Sequence, residues 1–165
     1  MNIEPSIFKA YDVRGIYPTT LNEEIAYKIG QGYADFVKPK GEIVVGNDVR
    51  LHSEKLKNEV VRGLTDAGVN VVDVGLISTD MYYFAVGYYG LAGGIQSTAS
   101  HNPPEWHGFK MVREEVKPLT FEQGITQIRD FAVSGKSIQA PTKGKVRKMD
   151  IEEDYADFVL GWLVP

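Results

Sequence analysis

Glu42-Ile-Val-Val-Gly46, Val69-Asn-Val-Val-Asp-Val-Gly75 and Gly94-Ile-Gln-Ser-Thr-Ala99 are three short runs bounded by glycine. Runs of this length and apolarity read as buried strands. Between the first two, Ser53 to Ala67 is amphipathic: Leu56, Val60, Leu64 and Ala67 fall on one helical face, and Gly68 is placed to end the helix. Between the second and third, Ser78 or Thr79 can cap a helix through Met81, Phe84, Ala85 and Tyr88, with Gly90 behind it. Strand–helix–strand–helix–strand with short loops is the pattern of a parallel sheet covered by helices on both faces.

Outward from this centre, Leu21 to Val37 reads as a helix with Ile25, Ile29, Tyr33 and Phe36 inward, and Pro39 lies just beyond. Ile7 to Ile16 reads as an extended segment running into a turn. Gly108-Phe-Lys-Met-Val112 follows the third strand too soon for a helical crossover, so it is expected to return antiparallel as a hairpin edge strand. Phe121 to Val133 is expected to be a further helix, and Ser134 to Lys148 a surface connector. Asp150 with Glu153 has the spacing of a capping box. The helix behind it carries Tyr155, Phe158, Val159 and Trp162 on one stripe, which reads as a face awaiting something to pack against. The expected fold is α/β, a three-layer sandwich. Its mixed four-stranded sheet is mostly parallel, with one antiparallel edge strand and helices on both faces. The expected division is a domain over 1–148 and a linker helix over 149–165.

The chain has 165 residues, enough for one domain with a substantial core. Eighteen Lys and Arg against 22 Asp and Glu leave a net charge of −4. No basic excess is available to displace counterions, so nucleic acid is not expected as a partner. There are no cysteines, which excludes disulfides, thiolate metal sites and a Cys nucleophile. Neither a signal peptide nor an 18-residue apolar run is visible, so no membrane is expected and the cytoplasm is the expected compartment.

Ligands of open α/β sheets bind beyond the carboxyl ends of the strands. The loop after the third strand is Ser100-His101-Asn102-Pro103-Pro104. Its two prolines stiffen it, which suits a nucleophile that must be presented in one place. Ser100 has no G-x-S-x-G elbow around it, and His101 is its immediate neighbour, which disfavours a Ser–His–acid triad. The alternative is that Ser100 carries a phosphate, which wants cations nearby; Arg14, Arg50 and Lys110 are the candidates. Read without that context, Arg14 is a turn residue, Lys110 an edge-strand charge, and Asp48 with Arg50 a pair holding the first strand–helix loop. His107 is open between a hairpin surface position and a substrate-facing one. The tyrosines at 82, 83, 88 and 89 read as helix packing.

Four runs together resemble the α-D-phosphohexomutase superfamily, in particular its phosphomannomutase/phosphoglucomutase branch. They are Ala10-Tyr11-Asp12-Val13-Arg14-Gly15-Ile16, Gly46-Asn47-Asp48-Val49-Arg50, Thr98-Ala99-Ser100-His101-Asn102-Pro103-Pro104 and Gly108-Phe109-Lys110. The resemblance implies the first domain of a four-domain isomerase (an intramolecular phosphotransferase of carbohydrate metabolism) that moves a phosphoryl group between the 1- and 6-hydroxyls of a hexose. It implies a phosphoserine at Ser100, which is also one Mg²⁺ ligand through its phosphate, and a hexose 1,6-bisphosphate intermediate. His101, Lys110 and Arg14 become catalytic candidates, and Tyr11, Asn102, Arg50 and His107 substrate-binding candidates. The polar Gln96-Ser97 before the serine, Trp106-His107 after the prolines and Asn47 depart from the family's usual residues. The family's Asp-x-Asp-x-Asp metal loop and its sugar and phosphate loops have no counterpart here, so the chain alone is expected to be inactive as a mutase. It is expected to pack against missing domains II–IV, or to self-associate through Tyr155, Phe158 and Trp162. Two alternatives stand beside this: the first domain of a phosphoglucosamine mutase, against which Phe109 speaks, and a non-catalytic phosphosugar-binding domain.

Overall fold

The computed structural model describes residues 3–163. The elements in chain order are β1 (Asp12–Ile16), α1 (Glu23–Val37), β2 (Ile43–Asn47), α2 (Ser53–Asp66), β3 (Val71–Leu76) and α3 (Thr79–Tyr88). They continue with β4 (Gly93–Ser97), β5 (Trp106–Arg113), α4 (Ile125–Val133), β6 (Val146–Lys148) and α5 (Glu152–Leu160). Helix α1 begins where Asn22 accepts the Ile25 N–H at 3.1 Å, and α3 where Ser78 accepts that of Met81 at 3.2 Å. Both are side-chain caps of the orphan donors in a first helical turn.

The sheet has six strands in the order β1-β5-β4-β2-β3-β6. The parallel pairing of the three central strands is the expected one, and the structure gives their order as β4-β2-β3. The expected four-stranded sheet with one antiparallel edge strand is not observed. β5 returns antiparallel to β4 but is not an edge, because β1 pairs antiparallel on its other side. A returning hairpin strand leaves one row of backbone donors and acceptors unpaired, and the extended 12–16 segment satisfies it. At the far side β6 adds parallel to β3, so the expected connector over 134–148 ends in a strand. All three residues of β6 are exposed, and a strand joined through backbone pairing alone leaves no apolar pattern to read. The expected capping box is also absent: Asp150 accepts the Glu152 N–H at 3.0 Å, and Ile151 stands at the N-cap without a side-chain cap. Ile151 is buried against the sheet, and that anchor sets where α5 starts.

One face of the sheet, with Val13, Val45, Val71, Ile95 and Phe109, is covered by α1, α2 and α4 through Ile29, Tyr33, Leu56, Val60, Leu64 and Ile128. The other, with Val44, Val72 and Val112, is covered by α3 through Tyr82, Ala85 and Val86. Each of the fully buried Val, Leu, Ile and Phe side chains contributes about 1.5–3 kcal/mol by leaving water. Helices α1 and α2 cross closely because glycines meet backbone there: a Cβ on Gly63 would lie 2.3 Å from the Tyr27 carbonyl oxygen.

The tyrosines of α3 divide. Tyr82 is fully buried and donates to the Gly94 carbonyl at 2.6 Å, whereas Tyr88 is exposed. Helix α5 lies against α3, with Phe84 5.3 Å from Tyr155 and 5.1 Å from Phe158 between ring centroids, and Tyr89 donates to Asp154. Val159, Leu160, Trp162 and Leu163 remain exposed. Among the described residues no helix is long and apolar enough to cross a membrane.

Candidate active site

Past the end of β4 the chain stays in register for one residue, Thr98 N–H donating to the Gly108 carbonyl at 2.9 Å, and then turns. The turn is at Ser100, whose φ is +55°. This left-handed conformation costs a residue with a Cβ about 1–2 kcal/mol. Thr98 holds it, its hydroxyl accepting the Ser100 N–H at 2.9 Å. A threonine two residues before a turn residue is a local bonding pattern that could have been noticed in the sequence. Asn102 N–H closes back onto the Ala99 carbonyl at 3.1 Å, and Trp106 N–H onto Pro103 at 3.0 Å. The left-handed turn brings His101 Nδ1 within 3.3 Å of the Ser100 hydroxyl despite their adjacency. Both residues are exposed.

The polar residues before the serine are accounted for in part. Gln96 is fully buried, accepts from the Thr79 hydroxyl at 3.0 Å and donates to the Ile77 carbonyl at 3.1 Å. It ties β4 to the start of α3, a contact that periodicity does not reveal. Ser97 is buried with its hydroxyl unpartnered among the described residues.

Arg50, expected among the substrate contacts, is directed at the backbone of the serine loop and also lines the groove beside it. Its side chain is only 12% exposed. The guanidinium donates to the carbonyls of Ser100 at 2.8 Å, Asn102 at 2.6 Å, Pro103 at 2.8 Å and Trp106 at 3.0 Å. Asp48 fixes it from behind at 3.3 Å and is held in turn by the Ser53 hydroxyl at 2.5 Å.

Arg14 and Lys110 share the α3 side of the sheet. Arg14 lies opposite Gly108, and Lys110 lies between Asp12 and Gln96 in register. Arg14 is paired with Asp12 at 2.8 Å and also donates to the Asn102 side chain. Tyr11 is exposed and lines, with Arg14, Asn102 and Trp106, a groove of about 410 Å³. A second groove, about 640 Å³, lies against Ser100, Asn102, Arg50, Tyr17, His52 and His107. The serine loop is therefore a ridge between two grooves, and Asn102 lines both.

His107 is 1% exposed, so it is not a hairpin surface residue. It packs in an aromatic group with Tyr17, 5.7 Å away, and His52, 5.5 Å away, while its Nδ1 has no partner among the described residues. Burial holds its pKa below the ordinary 6.5, His52 and Arg50 lower it further, and Asp48 opposes them. The unfolded chain therefore binds the proton more readily. His107 contributes stability above about pH 6.5 that is lost as the pH falls from there. Held-down carboxylates such as Glu23, at about 2, lose theirs only below the ordinary carboxylate range. The thermal midpoint is expected to fall between about pH 7 and about pH 5.5, and His107→Asn to flatten that slope. An unchanged slope in the variant would assign the effect elsewhere.

Magnesium needs several hard oxygen ligands in octahedral geometry. Among the described residues no group of three or more His, Cys, Asp or Glu is placed to hold a metal. A phosphate on Ser100 could offer one oxygen, but the described residues do not by themselves make a Mg²⁺ site.

These features define a class: an α/β domain that presents a strained, exposed serine on a clamped loop at the carboxyl end of a central strand, with cationic side chains on one adjoining sheet face. The family described as "Phosphoglucomutase/phosphomannomutase, alpha/beta/alpha domain I" matches residues 5–137. A phosphomannomutase from Vibrio cholerae is 42% identical, over 98% of this chain and 36% of the relative. One from Klebsiella pneumoniae is 45% identical, over 91% of this chain and 96% of the relative. The crystal structure of a phosphoglucomutase/phosphomannomutase family protein from Burkholderia thailandensis superposes with a TM-score of 0.87 at 32% identity, over 97% of this chain and 36% of that one. The chain belongs to the phosphoglucomutase/phosphomannomutase family and matches its domain I. It spans about a third of the Vibrio cholerae relative and nearly all of the Klebsiella pneumoniae one.

Proposed function

We propose that this chain is the serine-bearing domain of a phosphomannomutase/phosphoglucomutase and that Ser100 is its phosphoryl carrier. The observation that carries the reading is the left-handed Ser100 on its clamped loop, exposed beside His101 and joined through Asn102 to Arg14. In the forward step the free 6-hydroxyl oxygen of a hexose 1-phosphate forms a bond to the phosphorus and the bond from phosphorus to the Ser100 Oγ breaks. The hydroxyl proton ends on Oγ, with His101 able to pass it. The product is a hexose 1,6-bisphosphate, which returns its other phosphoryl group to Ser100 after turning around. Arg14 and Lys110 stabilise the charge on the transferring group, as positioned cations do in phosphoryl transfer. Tyr11 and Asn102 line the substrate side, and His107 forms the wall behind the loop. Further domains, of the kind the longer relatives contain, would supply the metal ligands and cover the exposed face of α5 at Trp162.

The test is a chimera in which this chain replaces the matching third of the Vibrio cholerae phosphomannomutase. Turnover of mannose 1-phosphate by the chimera, with a phosphate found on Ser100, is expected, and none by the 165-residue chain alone. A well-folded chimera with no turnover, or turnover without phosphate on Ser100, would overturn the reading.

A further inference from the structure

The serine loop has a shortage of its own donors. Residues 100–106 carry seven carbonyls but, because of Pro103 and Pro104, only five backbone N–H groups. The Trp106 N–H closes a turn inside the loop, and those of Asn102 and Ser100 reach back only to Ala99 and Thr98, the residues just before it. From outside, the Tyr17 N–H donates to the Glu105 carbonyl at 3.0 Å and Arg14 donates to the Asn102 side chain, but no donor of the loop itself ties the carbonyls of Ser100, Asn102, Pro103 and Trp106 to the rest of the domain. The guanidinium of Arg50 does: its Nη1 serves Pro103 and Trp106, and its Nη2 serves Ser100 and Asn102. One planar fork thus joins both ends of the loop and the carbonyl of Ser100 itself. Its Nε faces Asp48, so every nitrogen is engaged and none is left for a substrate.

The geometry points to Arg50 as the positioning residue that holds Ser100 in its left-handed, exposed conformation, rather than as a substrate contact. It acts through the backbone of the loop and touches no reacting atom. The inference rests on the reading of Ser100 as phosphoryl carrier only for its kinetic consequence; the holding itself is a property of this chain. Lysine separates the two roles. It keeps the charge that would serve a phosphate, but as a point charge with three donors it cannot reproduce the fork.

The experiment compares the chain with Arg50→Lys and Arg50→Ala by hydrogen exchange and thermal melting, and the chimeras bearing them by kinetics. Exchange over residues 98–107 is expected to rise by about tenfold or more in both variants, while α2 and β4 keep their protection. In the chimeras kcat is expected to fall about 100-fold, the scale for a reactant misplaced by an ångström, with KM within about twofold of the original. Lysine that restores loop protection and kcat, or a variant that raises KM alone, overturns the inference. If both variants melt below the assay temperature, Asp48→Asn is used instead: it leaves the guanidinium but removes its backing, and unaltered loop exchange and kcat in it also overturn the inference. A chimera with the unmodified chain that shows no turnover counts against the carrier reading, and the exchange data still decide the role of Arg50.

Discussion

Replacing Ser100 by alanine is expected to remove phosphoryl transfer from the chimera by about 10⁴-fold or more, the scale of losing a covalent nucleophile. No neighbouring group can take over. His101 is the nearest nucleophile, but its Nδ1 sits 3.3 Å from the hydroxyl oxygen and not at the position that oxygen occupies. Ser100→Gly is expected to lose the same activity but to behave differently as a folded protein. At φ +55° a serine or an alanine carries the left-handed penalty and a glycine does not. Ser100→Gly should therefore melt above Ser100→Ala by the equivalent of about 1 kcal/mol, or about 2–4 °C for a chain of this size. Mutase turnover measured beside calorimetry checks both. Activity retained in Ser100→Ala removes the serine from the mechanism, and equal melting of the two variants removes the strain from the loop.

The largest loss of stability is expected from Gly108→Ala. A Cβ at this position would sit 2.0 Å from the Val13 carbonyl oxygen and 3.1 Å from that of Thr98. The first contact is with backbone, so no side chain can rotate away. β1 must separate from β5, or the start of β5 must bend. Either costs about 3 kcal/mol or more, beyond the usual range for overpacking. The functional damage follows from register. Arg14 stands opposite Gly108 on β1, and the Thr98 N–H donates to the Gly108 carbonyl on the other side. One methyl group therefore displaces both the cation and the foot of the serine loop. Urea denaturation of the 165-residue chain measures the effect as a fall in midpoint. A shift equivalent to less than about 1 kcal/mol would show that the two strands are not as tightly joined as the geometry implies.

The central strands and their helices were legible because burial writes itself into spacing. Val44 and Val45 are fully buried on opposite faces, so β2 is apolar throughout, and Leu56, Val60 and Leu64 repeat at the helical period on the one face of α2 that meets the sheet. The family was legible for a different reason: four short runs resembled it in order, and the one around Ser100 is long. The edges of the sheet were not. β1 alternates between the buried Val13 and the polar pair Asp12 and Arg14, and β6 is exposed throughout, so neither carries the apolar run by which β2 and β3 were read. Gln96 stood out as a departure because its partners, the Ile77 carbonyl in the β3–α3 connection and Thr79 at the start of α3, lie some 17 to 19 residues back along the chain.

The sequence by itself determined the α/β class, the parallel pairing at its centre and the serine loop that is proposed to carry the chemistry, because these depend on neighbours within a few residues. Only the tertiary structure decided which backbone edges pair, that His107 is buried behind the loop, and that Arg50 grips carbonyls some 50 residues away. Backbone carbonyls are the same at every position. A side chain that recognises them therefore leaves no mark on the residues it holds, and its role is visible only once the chain has brought them together.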